Sequence, residues 1–283
     1  MEITHNSRNV LTVSMGDIGN GWSKWFLLSS DHHFDSPECD RKLMFEHLDM
    51  AVERDAHILG FGDFFSMMEG TYDPRKNYGN LRPEYKEQDY LGVIVRDAAK
   101  QIKPYSSRIL MLGRGNHDQS ILKHNNIDVM NNLIYDLNKE DDTNIQLGGY
   151  GGWIRFQFNA GGKRIRRQLY YFHGSGGGGE VTRGVIRTNR IGVYVENADF
   201  VCTGHTHDMW MVPIRKLTLN NKGAIKQYNC KYINCGTYND DYKDGEDGWF
   251  VESGKSPRPR GAVWLRFSYK NKTIRDEITL ALD

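Results

Sequence analysis

Five apolar runs in this chain each end in residues that can bind a metal or move a proton. That arrangement limits the possible folds more than any other feature. "WFLLSSDHH" ends at Asp31 and His33, "AHILGFGD" at Asp63, "RILMLGRGNHD" at Asn116 and His117, "QLYYFHG" at His173, and "ADFVCTGHTH" at His205 and His207. Runs this short and this apolar read as strands buried on both faces. Two segments with apolar residues at helical spacing lie between the first three runs. They are "CDRKLMFEHLDMAVERDAH" and "YKEQDYLGVIVRDAAKQI", the second stopping before Pro104. Alternating strands and helices predict βαβ units. Ligands of such sheets bind beyond the carboxyl ends of the strands, so the polar clusters are expected to gather at one end.

Composition sets wider bounds. The chain has 283 residues, with 37 Lys plus Arg against 36 Asp plus Glu. The length suits one large α/β domain over 1–283, with surface insertions expected near 66–90 and 239–260. The charge balance demands no polyanionic partner, although a local basic patch stays open. No apolar run approaches the roughly 18 residues of a membrane span. The opening segment lacks a basic stretch followed by an apolar one, so no secretory signal is expected. Cys39, Cys202, Cys230 and Cys235 form no CxxC pair and read as buried thiols. A reducing cytoplasm is the expected location. Farther along, "WIRFQFNAGGKRIRRQLYYFHG" reads as a hairpin around "NAGG", and short strands and turns are expected from Val212 onward.

The candidate ligands are Asp31, His33, Asp63, Asn116, His173, His205 and His207. Carboxylate, amide and imidazole donors without thiolate suit Mn²⁺, Fe or Zn²⁺ and argue against a structural zinc site. With one bridging carboxylate, these donors would give each of two ions four contacts. Two such ions can clamp the attacking and leaving oxygens of an in-line displacement at phosphorus.

The order D-x-H, G-D, G-N-H-D, a lone His after a strand, then G-H-T-H resembles the calcineurin-like metallophosphoesterase superfamily, from about residue 25 to 240. The resemblance implies a four-layer αββα sandwich of two mixed sheets. It also implies two divalent ions, manganese first, with iron, zinc or nickel as alternatives. Asp31, His33, Asp63 and His207 would hold one ion; Asp63, Asn116, His173 and His205 would hold the other. On an extended segment, residues two apart point to the same side, so one short turn could feed His205 and His207 to different ions. His117 would protonate the leaving oxygen, since imidazole as a side-chain type suits general acid work near neutral pH. A metal-bound hydroxide would be the nucleophile.

Protein phosphatases of that superfamily carry G-D-x-x-D-R-G. Here the segment is "GDFFSMM", with Ser66 and Met67 where the second Asp and the Arg would stand. The expected activity is therefore a phosphodiesterase on nucleotides or short nucleic acid. A DNA/RNA nuclease is the near alternative; a phosphoprotein phosphatase and a non-catalytic metal-binding scaffold are further ones. Asp118 is a candidate to orient His117, or equally a helix cap. The glycines after His173 could admit a phosphate to backbone N–H groups. Arg183, Arg187 and Arg190 could share a helical face. "KRIRR" could touch a nucleic-acid backbone, although an edge strand guarded by charge is the simpler reading. Trp210, Tyr238 and Trp249 could stack on a base, although packing is the simpler role. No membrane partner is expected, and nothing fixes an oligomeric state.

Overall fold

The structure is a computed structural model and describes residues 1–67, 81–86, 88–139, 143–244 and 249–282. Among these, β3 (Ser23–Ser29), α1 (Arg41–Glu53), β4 (His57–Gly60), α2 (Tyr90–Ile102) and β5 (Ile109–Leu112) form the expected βαβαβ unit. β3, β4 and β5 pair in parallel. β6 (Gln146–Leu147) extends them on one side, and β12 (Gly261–Lys270) with β13 (Thr273–Leu282) on the other, to give a six-stranded sheet. A seven-stranded sheet has the order β1 (Glu2–Ser7), β2 (Val10–Asp17), β7 (Gly151–Ala160), β8 (Lys163–Phe172), β9 (Phe200–Thr203), β11 (Ile225–Cys235) and β10 (Met209–Leu219). Both sheets mix parallel and antiparallel pairs, so the fold is α/β with two mixed sheets.

The sheets face each other across an aromatic-rich core. Phe26 and Phe267 come from one sheet and Phe156, Phe158 and Phe200 from the other. Phe267 meets these four rings at centroid distances of 4.9–6.0 Å. A second core fills the outer side of the six-stranded sheet. It packs Leu43 and Leu48 of α1, Ile94 and Ala98 of α2, Ile121 of α3 (Asn116–Asn125), and Leu133 and Leu137 of α4 (Val129–Asn138). Asp40 caps α1 by accepting from Leu43 N–H at 3.0 Å, and Asp128 caps α4 by accepting from Asn131 N–H at 3.0 Å. α5 (Val185–Ile191) lies on the outer face of the seven-stranded sheet, where Ile191 packs with Val201 and Tyr232. A sixth helix, α6, spans Trp249–Glu252.

Several expectations change. β8 pairs with both β7 and β9, so "KRIRR" is not on an edge strand. Its pairing to β9 covers only Leu169–Tyr171, which leaves the basic half open on that side. β10 and β11 are 11 residues each, longer than the short strands expected there. Of the expected insertion near 66–90, residues 68–80 and 87 lie outside the described set. Leu81 and Tyr85 are buried in the helix-side core rather than on the surface. All four cysteines are buried and free. No helix among the described residues is long and apolar enough to cross a membrane.

Candidate metal centre

The fold brings all seven candidate ligands to one place. Asp31 and His33 follow β3, Asp63 follows β4, and Asn116 opens α3 after β5. His173 follows β8, and His205 and His207 follow β9. Two donor groups meet there. Asp31, His33 and His207 form one; Asp63, His173 and His205 form the other, each with its ligand atoms within 4.8 Å of one another. Asn116 Oδ1 adds to the second group, 3.2 Å from His173 Nε2 and 2.6 Å from His205 Nδ1. Asp63 also groups with His33 and His117, which puts its carboxylate between the two sets.

The backbone around the centre is unusual. Asp31, His33, Asp63, His205 and His207 all have positive φ, between 47° and 69°. Non-glycine residues seldom adopt this left-handed region, although Asp and His tolerate it better than most. Such strain collects at functional sites because surrounding contacts overdetermine it. His205 and His207 therefore diverge through a turn, not through the extended segment expected from their spacing. Two motif glycines are needed for close approach. A Cβ at Gly115 would lie 2.0 Å from Asp63 Oδ1, and one at Gly204 would lie 2.3 Å from Asp31 Oδ2.

The donor chemistry fits divalent cations. His33 Nε2 and His207 Nε2 stand 3.0 Å apart. Two imidazole nitrogens each about 2.1 Å from a shared ion come this close when they meet it at a right angle. Burial pushes His205 to about 4 and His207 to about 3, and holds His33 well below the usual histidine range. All three thus carry the unprotonated nitrogen that a metal needs. Burial alone would raise Asp63, but His173 and His117 outweigh it and hold the carboxylate far below its ordinary range. Burial would lower His173, but Asp63 and Asp31 outweigh it and raise the ring to about 9. Asp31 is raised to about 7 by burial. His173 Nδ1–H donates to Phe61 O at 2.9 Å, which turns Nε2 toward Asp63 Oδ2 at 3.1 Å.

His117 sits beside the ligands, with Nε2 3.8 Å from Asp63 Oδ2. Its Nδ1–H donates to the Ser66 carbonyl at 2.9 Å. Ser66 thus contributes a main-chain oxygen where the phosphatase pattern has a carboxylate. The expectation that Asp118 orients His117 does not hold. Asp118 is buried and accepts from Gly115 N–H at 2.8 Å, Asp63 N–H at 3.1 Å and Phe65 N–H at 3.4 Å. It ties the start of α3 to the Asp63 turn, and burial raises it to about 7.

Sequence reasoning missed Asp35. It accepts from Ser66 N–H at 2.6 Å and Met67 N–H at 2.7 Å and so fixes the loop that holds His117. Its place in "DHHFD", two residues after His33, was the available signal. His32, in the same motif, turns into the core, with Nε2 3.0 Å from Ser29 Oγ and its ring stacked on Tyr238.

The expected border loop at 239–260 does reach the centre. Phe250 stacks on His207 at 5.4 Å, and buried Arg258 pairs with Asp208 at 3.1 Å. Residues 245–248 and the Trp249 side chain lie outside the described set. Trp210 Nε1–H donates to Arg183 O, and Tyr238 is buried beside His47, so both are packing residues. Arg183 precedes α5 and bonds Asp208, so it does not share a helical face with Arg187 and Arg190. Arg187 and Arg190 line a cavity of about 210 Å³ that reaches Gly174, Gly204 and Thr206.

No family model matches the chain, and no curated protein matches it. Among solved structures, it is similar to one titled "GAP50 the anchor in the inner membrane complex of Plasmodium", at 12% identity and a TM-score of 0.42. That match covers 92% of this chain and 85% of the other. A likeness at that level carries no inference about family or activity.

Proposed function

We propose that this chain is a dinuclear metal-dependent phosphoesterase with a calcineurin-like fold. Its preferred substrates are phosphodiesters: nucleotides or short nucleic acid. The supporting observation is the meeting of two donor groups across Asp63, with His117 beside them. Two divalent ions held by these groups, manganese first, would supply an activated water and neutralise charge on the phosphoryl oxygens.

The chain's own residues do the rest. Asp63 holds the two donor groups together. The Nδ1–H of His173 is tied to Phe61 O, which fixes the ring with Nε2 facing Asp63. His117, oriented by Ser66 O, delivers a proton from Nε2 to the leaving oxygen. Asp35 is a positioning residue that keeps Ser66 in place. Ser66 and Met67, in place of Asp and Arg, weigh against a phosphoprotein phosphatase.

The test is Mn²⁺-dependent hydrolysis of bis(p-nitrophenyl) phosphate against p-nitrophenyl phosphate, with Asp63→Ala and His117→Ala as controls. Diester-selective activity lost in both variants is the expected result. Activity on neither ester in metal-loaded protein would replace this reading with a non-catalytic metal-binding scaffold.

A further inference from the structure

The near-neutral charge of the chain hides a strong separation. The β7–β8 hairpin, residues 151–172, carries five Lys or Arg and no Asp or Glu; the β10–β11 hairpin, residues 209–235, carries another five and again no acid. Of the 37 basic residues, 27 remain elsewhere, against all 36 acidic ones. Both hairpins belong to the seven-stranded sheet. β8 and β11 each run parallel to β9, and Leu169 and Lys231 both lie level with Phe200. The two hairpin turns therefore share one end of the sheet, opposite the end that carries His173 and His205.

Strand alternation divides these cations between faces. Trp153, Tyr170 and Tyr228 belong to the cluster on the outer face, under α5. Arg155, Arg164, Arg166, Lys216 and Lys226 share their parity and so point the same way. Arg164, Arg166 and Lys226 are exposed. Among the described residues, none of the five has an acidic partner. Two carboxylates interrupt the face, Glu196 and Asp199, and Asp199 already accepts from Gln168 N–H at 2.8 Å. Nearer the metal centre, Arg187 and Arg190 add two further cations at the cavity that reaches Gly174 and Gly204.

We propose that the outer face of the seven-stranded sheet docks single-stranded nucleic acid and guides it over α5 toward the metal centre. Unpaired cations interleaved with aromatic rings suit a strand whose phosphates need charge and whose bases stack without sequence preference. A surface with this excess of cations, on a chain otherwise acidic, also steers a polyanion to one side. The direction of the strand rests on the function proposed above; the docking itself does not.

The experiment is fluorescence anisotropy of a labelled 20-nucleotide single strand with full-length, metal-free protein between 50 and 200 mM salt. Binding that weakens steeply with salt is expected. The variant combining Arg164→Gln, Arg166→Gln, Lys216→Gln and Lys226→Gln should bind at least tenfold more weakly at 50 mM salt. Its log–log salt slope should be shallower by about three. Its melting temperature and its rate on bis(p-nitrophenyl) phosphate should match the wild type, which separates lost docking from lost folding. Asp63→Asn protein should bind the strand as well as wild type, so a failed esterase reading and a failed docking surface give different results. No binding at 50 mM salt, or equal binding by the four-fold variant, overturns the proposal. Retention on phosphatidylserine vesicles without oligonucleotide binding overturns it in favour of an anionic membrane.

Discussion

The two ends of the seven-stranded sheet are built on different terms. At the end holding His173, His205 and His207, buried groups are positioned by hydrogen bonds and close backbone approach. His205 N–H, for example, donates to Asp31 Oδ2 at 2.8 Å. At the hairpin end, Arg164, Arg166 and Lys226 stand in solvent with no acidic partner among the described residues. One end spends conformational strain to fix a geometry, while the other spends only charge. Substitutions should therefore be costly and specific at the first end, and mild and salt-dependent at the second.

The largest effect is expected at Asp63, the carboxylate between the two donor groups. Asp63→Asn should reduce bound Mn²⁺ below two ions per chain and lower diester hydrolysis by at least about 10³-fold, read by elemental analysis and initial rates. His117→Ala should lower kcat by about 10²–10⁴-fold with bound metal unchanged; loss of metal instead would make His117 a ligand. Gly204→Ala should destabilise the protein by about 2 kcal/mol or more in denaturant unfolding, because its Cβ would meet Ser30 Oγ and Asp31 Oδ2. At the far end, Arg164→Gln should move stability by less than about 0.5 kcal/mol. An Arg164→Gln cost matching that of Gly204→Ala would break the contrast.

One prediction concerns pH. His57 opens β4, and burial, with Lys24 nearby, lowers it from 6.5 to about 4. The unfolded chain therefore binds a proton that the folded chain refuses between these values. Its contribution to stability is fully present above pH 6.5, falls as the pH drops toward 4, and is level below that. The drop corresponds to roughly 3 kcal/mol. Urea melts of metal-free wild type and His57→Val should diverge over that window, the wild type losing more; parallel curves would contradict the assignment.

Much of the fold was legible because its signals are local. The runs ending at Asp31, Asp63, Asn116, His173 and His205 are strand-to-loop junctions in the structure, and the "NAGG" turn joins β7 to β8. α4 was missed, although its signal is just as local: Asp128 caps it, and Val129, Leu133 and Leu137 repeat at helical spacing. What stayed illegible depends on contacts between distant segments. The place of Asp35 in "DHHFD" set it near the ligands, but its partner Ser66, 31 positions away, could not be read from that motif. Likewise, the sequence left open whether Asp118 orients His117 or caps the helix; in the structure its carboxylate caps α3 at Gly115 and also holds the Asp63 turn. The left-handed turn at His205 is held by its N–H bonding to the Asp31 carboxylate, which lies close against Gly204, a contact that spacing alone does not encode.

The most direct test of the central claim is calorimetric titration of metal-free protein with Mn²⁺, alongside Asp63→Asn. The account predicts two ions per wild-type chain and a loss of stoichiometry in the variant. A single ion, or none, in folded wild-type protein would contradict a dinuclear centre.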